Sequence, residues 1–328
     1  MPVGAAVDLV VPGSSANLGP GFDSVGLALG VLDSYRAVVR EAPGLVVDLG
    51  EESQDVPTDE RHLVVATMYR AWDELGVQRP EGLELVCRNT IRMGRGMGSS
   101  AAAIVAGVAL ASALARPEAL EAPEGSPIPL DLDFVNDLSG ALEGHPDNAS
   151  ASVFGGATVS YVESRDGERS LPRVRTVRLP LHPDIRPVVF LPSTQLPTAT
   201  ARAVLPATVP HAEAALNSAR AGLLTFALTQ DPSLLLPATT EWLHQEQRRG
   251  AYPQAMALID ALRARGHAAV VSGAGPSVLV LTTTPEQVQD PDEAAEAWQR
   301  LGPGIPAVGV QAARATLRTS LGERTAAI

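Results

Sequence analysis

Three alternating glycines followed by two serines form the stretch whose residue types point most clearly to chemistry. Gly94, Gly96 and Gly98 precede Ser99 and Ser100, and an alanine-rich apolar run begins directly afterwards. Glycine allows positive φ angles and a close approach of the backbone to a ligand. A helix that begins at the serines has free backbone N–H groups in its first turn, which bind an anion without a cationic side chain. The sequence therefore predicts a phosphate-binding loop.

Two familiar classes of phosphate loop do not fit this stretch. A Walker A loop requires Gly-Lys-Ser/Thr, but all 25 basic residues of the chain are arginine. A dinucleotide-binding loop has an acidic residue about 20 positions after the glycines, at the end of a second strand. Here the region after Leu114 is instead rich in alanine, glutamate and proline. The lack of lysine also excludes Schiff-base and lysine-nucleophile mechanisms.

A second polar cluster lies after the helix predicted over residues 134–142. Four side chains that could bind a ligand, Glu143, His145, Asp147 and Asn148, occur within six positions. A helix end of purely structural role would need only the glycine between them. Glu143 and the hydroxyl of Ser100 are oxygen ligands of the kind that Mg²⁺ accepts beside phosphate and water. We interpret the cluster as functional.

Three further polar residues have two interpretations each. Asn17 and Asp23 lie in a loop of small residues, where they either form turns or face a ligand. Arg202 is a solitary charge among small residues. It either caps or covers local structure or neutralises charge on a phosphoryl group during transfer.

The elements that must position these residues alternate between strands and helices. A strand over residues 82–87 leads into the phosphate loop, and the helix after the loop is apolar nearly all round, which predicts burial on several sides. A second glycine-rich turn, residues 272–277, forms either a simple hairpin or backbone packed against the first loop. Strands are predicted over residues 7–11 (stopped by Pro12), 26–30, 34–39, 46–50, 82–87, 153–161, 188–192, 268–271, 278–281 and 309–318, and helices over 63–75, 99–115, 134–142, 211–228, 234–243, 253–265 and 293–301, with a surface loop over 116–130.

Length and charge limit the possible classes of protein. A chain of 328 residues is long enough for two domains. A formal net charge of −12 argues against binding to nucleic acid or to anionic membranes. The single cysteine, Cys87, excludes an internal disulfide. The first residues contain no basic stretch followed by an apolar one, and no apolar run has the length of a membrane span, so we expect a cytoplasmic protein.

Three stretches, in this order, resemble the three motifs of the GHMP small-molecule kinases. They are PGSSANLGPGFD at residues 12–23, GRGMGSSAA at 94–102 and SGAGPS at 272–277. The first motif, together with EGHPDN at 143–148, is similar to the homoserine kinase family within that superfamily. The resemblance implies an α+β architecture of two domains. Residues 1–170 would form an ATP-binding domain like domain 2 of ribosomal protein S5, and residues 171–328 a ferredoxin-like GHMP kinase domain.

The resemblance also implies a reaction and a set of site residues. The reaction is transfer of phosphate from ATP, with Mg²⁺, to the side-chain hydroxyl of L-homoserine, which gives O-phospho-L-homoserine for threonine biosynthesis. Ser100 and Glu143 would bind Mg²⁺. Asn17, Asp23, His145, Asp147, Arg202 and Arg248 would bind the substrate. Arg202 and Asn148 would act in catalysis, and Asp23 would meet the substrate ammonium group. ATP would contact Arg92, Met93, Gly94, Arg95, Gly96, Met97, Gly98, Ser99, Ser100, Ala101 and Ala102.

Two departures from the family pattern and two alternative functions complete the prediction. The family usually has proline where this chain has Arg92 and leucine where it has Met97. Relatives that act on mevalonate-like substrates have an aspartate, a candidate general base, where this chain has Asn148, so we expect catalysis by alignment and charge neutralisation. A GHMP kinase for another small alcohol and a nucleotide-binding regulator without turnover are the alternatives. Dimers are common in the family, so a homodimer is also predicted.

Overall fold

The computed structural model describes residues 1–50, 56–163, 171–196, 198–289 and 298–315. Over these ranges the chain forms two β-sheets with helices packed against them, which confirms the predicted α+β class. The strands are β1 Ala6–Ala16, β2 Val25–Arg40, β3 Gly44–Asp48, β4 Gly82–Arg88, β5 Pro127–Ile128, β6 Ala157–Val162, β7 Val174–Leu179, β8 Arg186–Leu191, β9 Ala268–Val271, β10 Val278–Thr282, β11 Gln299–Leu301 and β12 Gln311–Arg314. The helices are α1 Leu63–Leu75, α2 Ser99–Leu114, α3 Glu118–Glu121, α4 Leu132–Glu143, α5 Asp147–Phe154, α6 Thr198–Ala203, α7 His211–Thr229, α8 Leu235–Ala238 and α9 Pro253–Ala264.

The larger sheet has eight strands within the described residues and supports the phosphate loop. Its main path runs β3-β4-β2-β1-β12-β5, while β6 pairs with β2 and with β7. Helix α2 packs against β1 and against α1, α4 and α5. Nearly all of α2 is therefore buried, as its uniformly apolar sequence predicts. This burial fixes the helix N-terminus, and with it the loop that precedes the helix.

The smaller sheet has the order β11-β8-β10-β9, and all of its pairings are antiparallel. Val188 and Phe190 of β8 and Met256 and Ile259 of α9 belong to one buried apolar cluster beside it. The turn between β9 and β10 holds the second glycine-rich motif. Hydrogen bonds along both strands therefore fix that turn on two sides.

The predicted domain boundary at residues 170/171 stays a prediction. Strand β7 lies after it and pairs with β6 in the larger sheet. Strand β12, near the C-terminus, returns to the same sheet and pairs with β1. The larger sheet thus includes strands from both sides of the predicted boundary.

The first predicted strand does not stop at Pro12, so that expectation is wrong. β1 continues to Ala16, and its pairing with β2 changes register between Pro12 and Gly13. Such an irregularity accommodates a proline that cannot donate to the sheet. The two strands predicted over 26–30 and 34–39 likewise form one long strand, β2. The motif at 12–23 is thus half strand and half loop.

Four other expectations are also corrected. Residues 153–154 end helix α5, and β6 begins only at Ala157, because burial of a short Ser/Asn-rich segment outweighs its weak helix propensity. The helix predicted over 234–243 ends at Ala238, where the Glu241 carboxylate accepts the backbone N–H groups of the next turn. Residues 299–301 of the helix predicted over 293–301 form a strand, while residues 293–297 lie outside the described residues. The loop predicted over 116–130 contains α3 and β5.

Candidate active site

The loop between β4 and α2 has the backbone conformation that its glycines predict. Gly94, Gly96 and Gly98 have φ angles of 66°, 73° and 70°. A Cβ atom on Gly96 would lie 2.2 Å from the carbonyl oxygen of Ser272. Only glycine combines this conformation with this close approach. The loop therefore depends on its neighbour as well as on its own sequence.

That neighbour is the second glycine-rich turn, which packs directly on the phosphate loop. The hydroxyl of Ser272 donates to the carbonyl oxygen of Gly96 at 2.5 Å, and the hydroxyl of Ser277 donates to that of Arg95. On the other side, the backbone N–H of Ser14 donates to the carbonyl oxygen of Met97 at 3.0 Å. The three sequence motifs thus meet at one place. Of the two interpretations of residues 272–277, packing against the loop is the one observed.

A cavity of about 340 Å³ opens beside the N-terminus of α2. The N-terminal N–H groups of a helix have no partner within the helix, and among the described residues no side chain caps this one. The positive end of α2 is thus available to an anion. The cavity brings together most of the predicted site residues: Asn17, Gly94, Gly96, Gly98, Ser99, Ser100, Glu143, His145, Asp147, Asn148, Arg202 and Arg248.

The other residues that were predicted to contact the nucleotide do not line this cavity. Arg92, Met93 and Arg95 line a neighbouring cavity of about 410 Å³, which shares Ser99 and Ser100 with the first. Met97, Ala101 and Ala102 are buried and line neither cavity. The side chain that replaces the usual family proline, Arg92, is exposed at the second cavity.

Asn17 lines the cavity from the loop after β1, and Asp23 lies six residues further along the same loop. Both have positive φ angles, 70° and 55°, which asparagine and aspartate tolerate better than most residues. The amide of Asn17 donates to the carbonyl oxygen of Gly273 and accepts the backbone N–H of Asp23, both at 3.0 Å. Asn17 therefore ties the first motif to the third. Turn formation is observed for both residues, but only Asn17 lines the cavity; Asp23 is paired with Arg202, which does line it.

Arg202 forms a two-pronged ion pair with Asp23. Its Nη1 and Nη2 atoms lie 3.2 and 2.5 Å from the two carboxylate oxygens. Burial disfavours the charged guanidinium, but Asp23 outweighs that effect, so the pKa of Arg202 is raised. The small residues around Arg202 in the sequence suggested an isolated charge, but in the structure this charge is paired with Asp23. It is held by a residue far away in the sequence.

Arg248 is buried, yet it forms no ion pair with a carboxylate among the residues that the structure describes. Its Nε donates to the carbonyl oxygen of Ala201 at 2.8 Å, and Nη1 lies 3.4 Å from Nδ1 of His244. Burial lowers the pKa of Arg248, although an arginine still keeps its proton. A buried cation with no counter-charge favours an anionic ligand.

A single aromatic ring supports both arginines. The guanidinium carbons of Arg248 and Arg202 lie 5.5 and 5.6 Å from the ring centre of Phe22, within the range of cation–π contact. The imidazole of His244 also stacks on Phe22. Neither Phe22 nor His244 is among the predicted site residues. His244 lies four residues before the predicted site residue Arg248, and this spacing is a sequence signal from which His244 could have been found.

His145, Asp147 and Asn148 form a connected group that lines the same cavity. Oδ1 of Asp147 lies 2.6 Å from Nδ1 of His145 and 2.7 Å from the backbone nitrogen of Asn148. Burial lowers the pKa of His145, but the hydrogen bond and charge of Asp147 outweigh it, so the net shift is upward. The hydroxyl of Ser14, which sequence analysis did not select, donates to Oδ1 of Asn148 at 3.0 Å.

Ser100 and Glu143 lie together, as a shared cation would require. The hydroxyl of Ser100 donates to Oε2 of Glu143 at 3.2 Å. Burial raises the pKa of Glu143, because it outweighs the opposing effects of His145, Ser100 and Arg202. A hydroxyl and a carboxylate oxygen form a donor set that suits Mg²⁺. These residues therefore fit the predicted ion, although its binding stays a prediction.

The loop and fold define the class to which this chain belongs. Residues 62–156 match the GHMP kinases N terminal domain, and residues 212–304 match the GHMP kinases C terminal domain. The chain belongs to the GHMP kinase family, whose members use ATP as the phosphate donor. Within the described ranges, none of the helices has the length and apolar content needed to cross a membrane.

Within that family, the chain is most informatively compared with homoserine kinases. It is 48% identical to homoserine kinase of Streptomyces coelicolor over 84% of both chains. It is 47% identical to homoserine kinase of Streptomyces avermitilis, over 90% of this chain and 91% of that one. The crystal structure of homoserine kinase from Cytophaga hutchinsonii superposes with a TM-score of 0.77 at 22% identity, covering 95% of this chain and 98% of that one. The chain is therefore a member of the homoserine kinases.

Proposed function

We propose that this chain transfers the γ-phosphate of ATP to the side-chain hydroxyl of L-homoserine, forming O-phospho-L-homoserine for threonine biosynthesis. One observation supports it best: the buried guanidinium of Arg248, which pairs with no carboxylate of the described residues, lines the same cavity as the N-terminus of α2. A zwitterionic alcohol beside a phosphate site meets both features. The identity to homoserine kinases over most of the chain supports the same substrate.

The proposed binding mode assigns opposite charges to opposite parts of the substrate. Arg248 receives the carboxylate, and Asp23 receives the ammonium group. Asn17, His145 and Asp147 complete the walls around the side chain. The backbone of residues 92–102 and the N-terminus of α2 hold the ATP phosphates, because N–H groups and the helix dipole favour anions.

Catalysis in this proposal relies on alignment and charge. Asn148 is a neutral amide that takes up no proton at ordinary pH, so it orients the hydroxyl instead of acting as a base. Phosphoryl transfer requires little from a base, because the hydroxyl proton leaves late and passes to the phosphate itself. Arg202 neutralises the charge on the γ-phosphate as it moves. Ser100 and Glu143 would hold Mg²⁺, which when bound neutralises phosphate charge.

A panel of alcohols tests this proposal. ADP release is measured with Mg-ATP and L-homoserine, L-serine, L-threonine, mevalonate or galactose, for the wild type and for Arg202→Gln. We expect turnover with L-homoserine and a loss of about 100-fold or more in the variant, a typical cost for one stabilising group of a transition state. Turnover with a different alcohol would contradict the substrate. ATP binding without any turnover would favour the regulator. A homodimer and a cytoplasmic location remain predictions.

A further inference from the structure

Asp23 and Arg202 occupy each other in the structure. Both carboxylate oxygens of Asp23 face the terminal nitrogens of Arg202, at 2.5 and 3.2 Å. In the proposed function, however, Asp23 binds the substrate ammonium and Arg202 faces the γ-phosphate. Each carboxylate oxygen keeps a second lone pair, so an ammonium group can still approach Asp23, but Arg202 cannot reach the γ-phosphate while both of its terminal nitrogens stay on that carboxylate. The ion pair must therefore open before both groups reach their partners.

We propose that the Asp23–Arg202 ion pair is a latch that substrate binding opens. The ammonium group of L-homoserine replaces the Arg202 guanidinium on Asp23, and the released guanidinium turns to the γ-phosphate of ATP. One cation replaces another, so the charge at Asp23 is unchanged. This inference rests on the proposed function and adds a coupling between the two substrates.

The ion pair has the properties that an exchange requires. The side chains of Arg202 and Asp23 are 35% and 36% exposed, so an entering cation reaches the pair from solvent. Partly exposed pairs are weak enough to be replaced by a comparable contact. In addition, Nε of Arg202 is buried with no hydrogen-bond partner among the described residues. The resting position therefore leaves one donor of the guanidinium unsatisfied.

Arg248 is held in place and does not take part in the exchange. It is 1% exposed, and its Nε donates to the carbonyl oxygen of Ala201, the residue before Arg202. Both guanidiniums lie over the ring of Phe22. Arg248 can therefore keep the substrate carboxylate while the Arg202 side chain turns over the same ring. The two arginines then have separate roles.

The latch would slow the hydrolysis of ATP when homoserine is absent. Without homoserine, Arg202 stays on Asp23 and the γ-phosphate lacks this cation, so attack by water is slow. With homoserine, the same event that fills the acceptor position releases the arginine. Transfer to the alcohol is thereby favoured over transfer to water.

Two single variants separate the latch from simple substrate binding. Asp23→Asn keeps the shape and suits the φ of 55°, which asparagine tolerates. We expect its ATP hydrolysis without homoserine to rise about five-fold, because a partly exposed ion pair of this kind is worth about that factor. Arg202→Gln should bind homoserine about five-fold more tightly, by calorimetry in the presence of ADP, while its kcat falls.

A matched control and a double variant complete the experiment. Arg249 forms exposed ion pairs with Glu246 and Asp260, so Arg249→Gln should change neither quantity. The variant with both Asp23→Asn and Arg202→Gln should lose the extra hydrolysis, since no arginine remains to be released.

The outcomes distinguish the latch from the proposed function. Hydrolysis by Asp23→Asn no faster than by the wild type, or weaker homoserine binding by Arg202→Gln, overturns the latch while wild-type turnover of homoserine persists. A wild type that releases no ADP with homoserine instead contradicts the proposed function. If Asp23→Asn does not fold, homoserine binding by Arg202→Gln decides the matter alone.

Discussion

The ring of Phe22 stacks on the buried imidazole of His244, with ring centres 5.0 Å apart and planes inclined by 23°. The imidazole is fixed in turn by the carbonyl oxygen of Gly19, 2.9 Å from its Nε2. The guanidiniums of Arg202 and Arg248 both lie over the ring of Phe22, in cation–π contact with it. The stack thus links the first sequence motif to both cations of the site.

Replacing Phe22 by leucine should weaken homoserine binding more than ATP binding. Leucine keeps apolar bulk but lacks the ring electrons that attract both guanidiniums, a loss of about 1 kcal/mol per contact when partly desolvated. We expect the KM for homoserine to rise at least about five-fold. Phe226→Leu is the matched control, because Phe226 is 50% exposed on α7. An equal change of both KM values in Phe22→Leu would contradict the assigned role.

His244 should make the folded state less stable in mild acid. Burial lowers the pKa of His244 from its ordinary value of 6.5, although Glu241 acts in the opposite direction. Below pH 6.5 the unfolded chain therefore binds a proton that the folded chain does not, and the free energy of unfolding falls by up to about 1.4 kcal/mol per pH unit from this group.

Urea unfolding between pH 7.5 and 5 measures this contribution. The slope of unfolding free energy against pH should be smaller in His244→Gln than in the wild type. The exposed residue His211 provides the control, His211→Gln, in which the wild-type slope should remain. A wild-type slope in His244→Gln would show that this imidazole is not the source.

Glu143→Gln should stabilise the folded protein in the absence of Mg²⁺ and lower its activity with Mg²⁺ and ATP. Partial burial disfavours the charged form of the Glu143 carboxylate and raises its pKa, so removing the charge should raise the free energy of unfolding in EDTA by about 1 kcal/mol. The same change removes a Mg²⁺ ligand, so half-maximal activity should require at least about ten-fold more Mg²⁺. Unchanged Mg²⁺ dependence would contradict the assignment of this ligand.

Gly96→Ala should damage the phosphate loop much more than Gly94→Ala. Both glycines have positive φ angles, but only at Gly96 would a Cβ atom meet backbone, the carbonyl oxygen of Ser272 at 2.2 Å. At Gly94 the nearest atom is Cβ of Gln195, at 3.4 Å. Alanine at either position has the cost of a left-handed conformation, about 1–2 kcal/mol. ATP binding by calorimetry should be lost only in Gly96→Ala; equal losses would contradict the close packing.

Local signals predicted the elements around the site well. α1 spans residues 63–75 as predicted, because its apolar periodicity ends at a glycine with a φ of 64°. α2 begins at Ser99 because three glycines precede an unbroken apolar run. The positive φ angles of the loop follow from residue types alone. These features depend on neighbours in sequence.

Other features depend on residues that are distant in sequence. The Asp23–Arg202 pair joins positions 179 residues apart, and Phe22 becomes a platform only because the turn after Ala238 brings His244 and Arg248 to it. After α8 ends, the carboxylate of Glu241 accepts three backbone N–H groups, and the sequence around Glu241 contains no pattern that predicts these bonds. No local pattern contains these contacts, so a single sequence could not predict them.

The most direct test of the account is to identify the phosphorylated product. The protein is incubated with Mg-ATP and L-homoserine, and the mixture is followed by phosphorus NMR. We predict one new phosphomonoester resonance whose phosphorus couples to the terminal methylene protons of the side chain, formed in equal amount to ADP. Inorganic phosphate as the sole product, or a phosphate on the carboxyl group, would contradict the account.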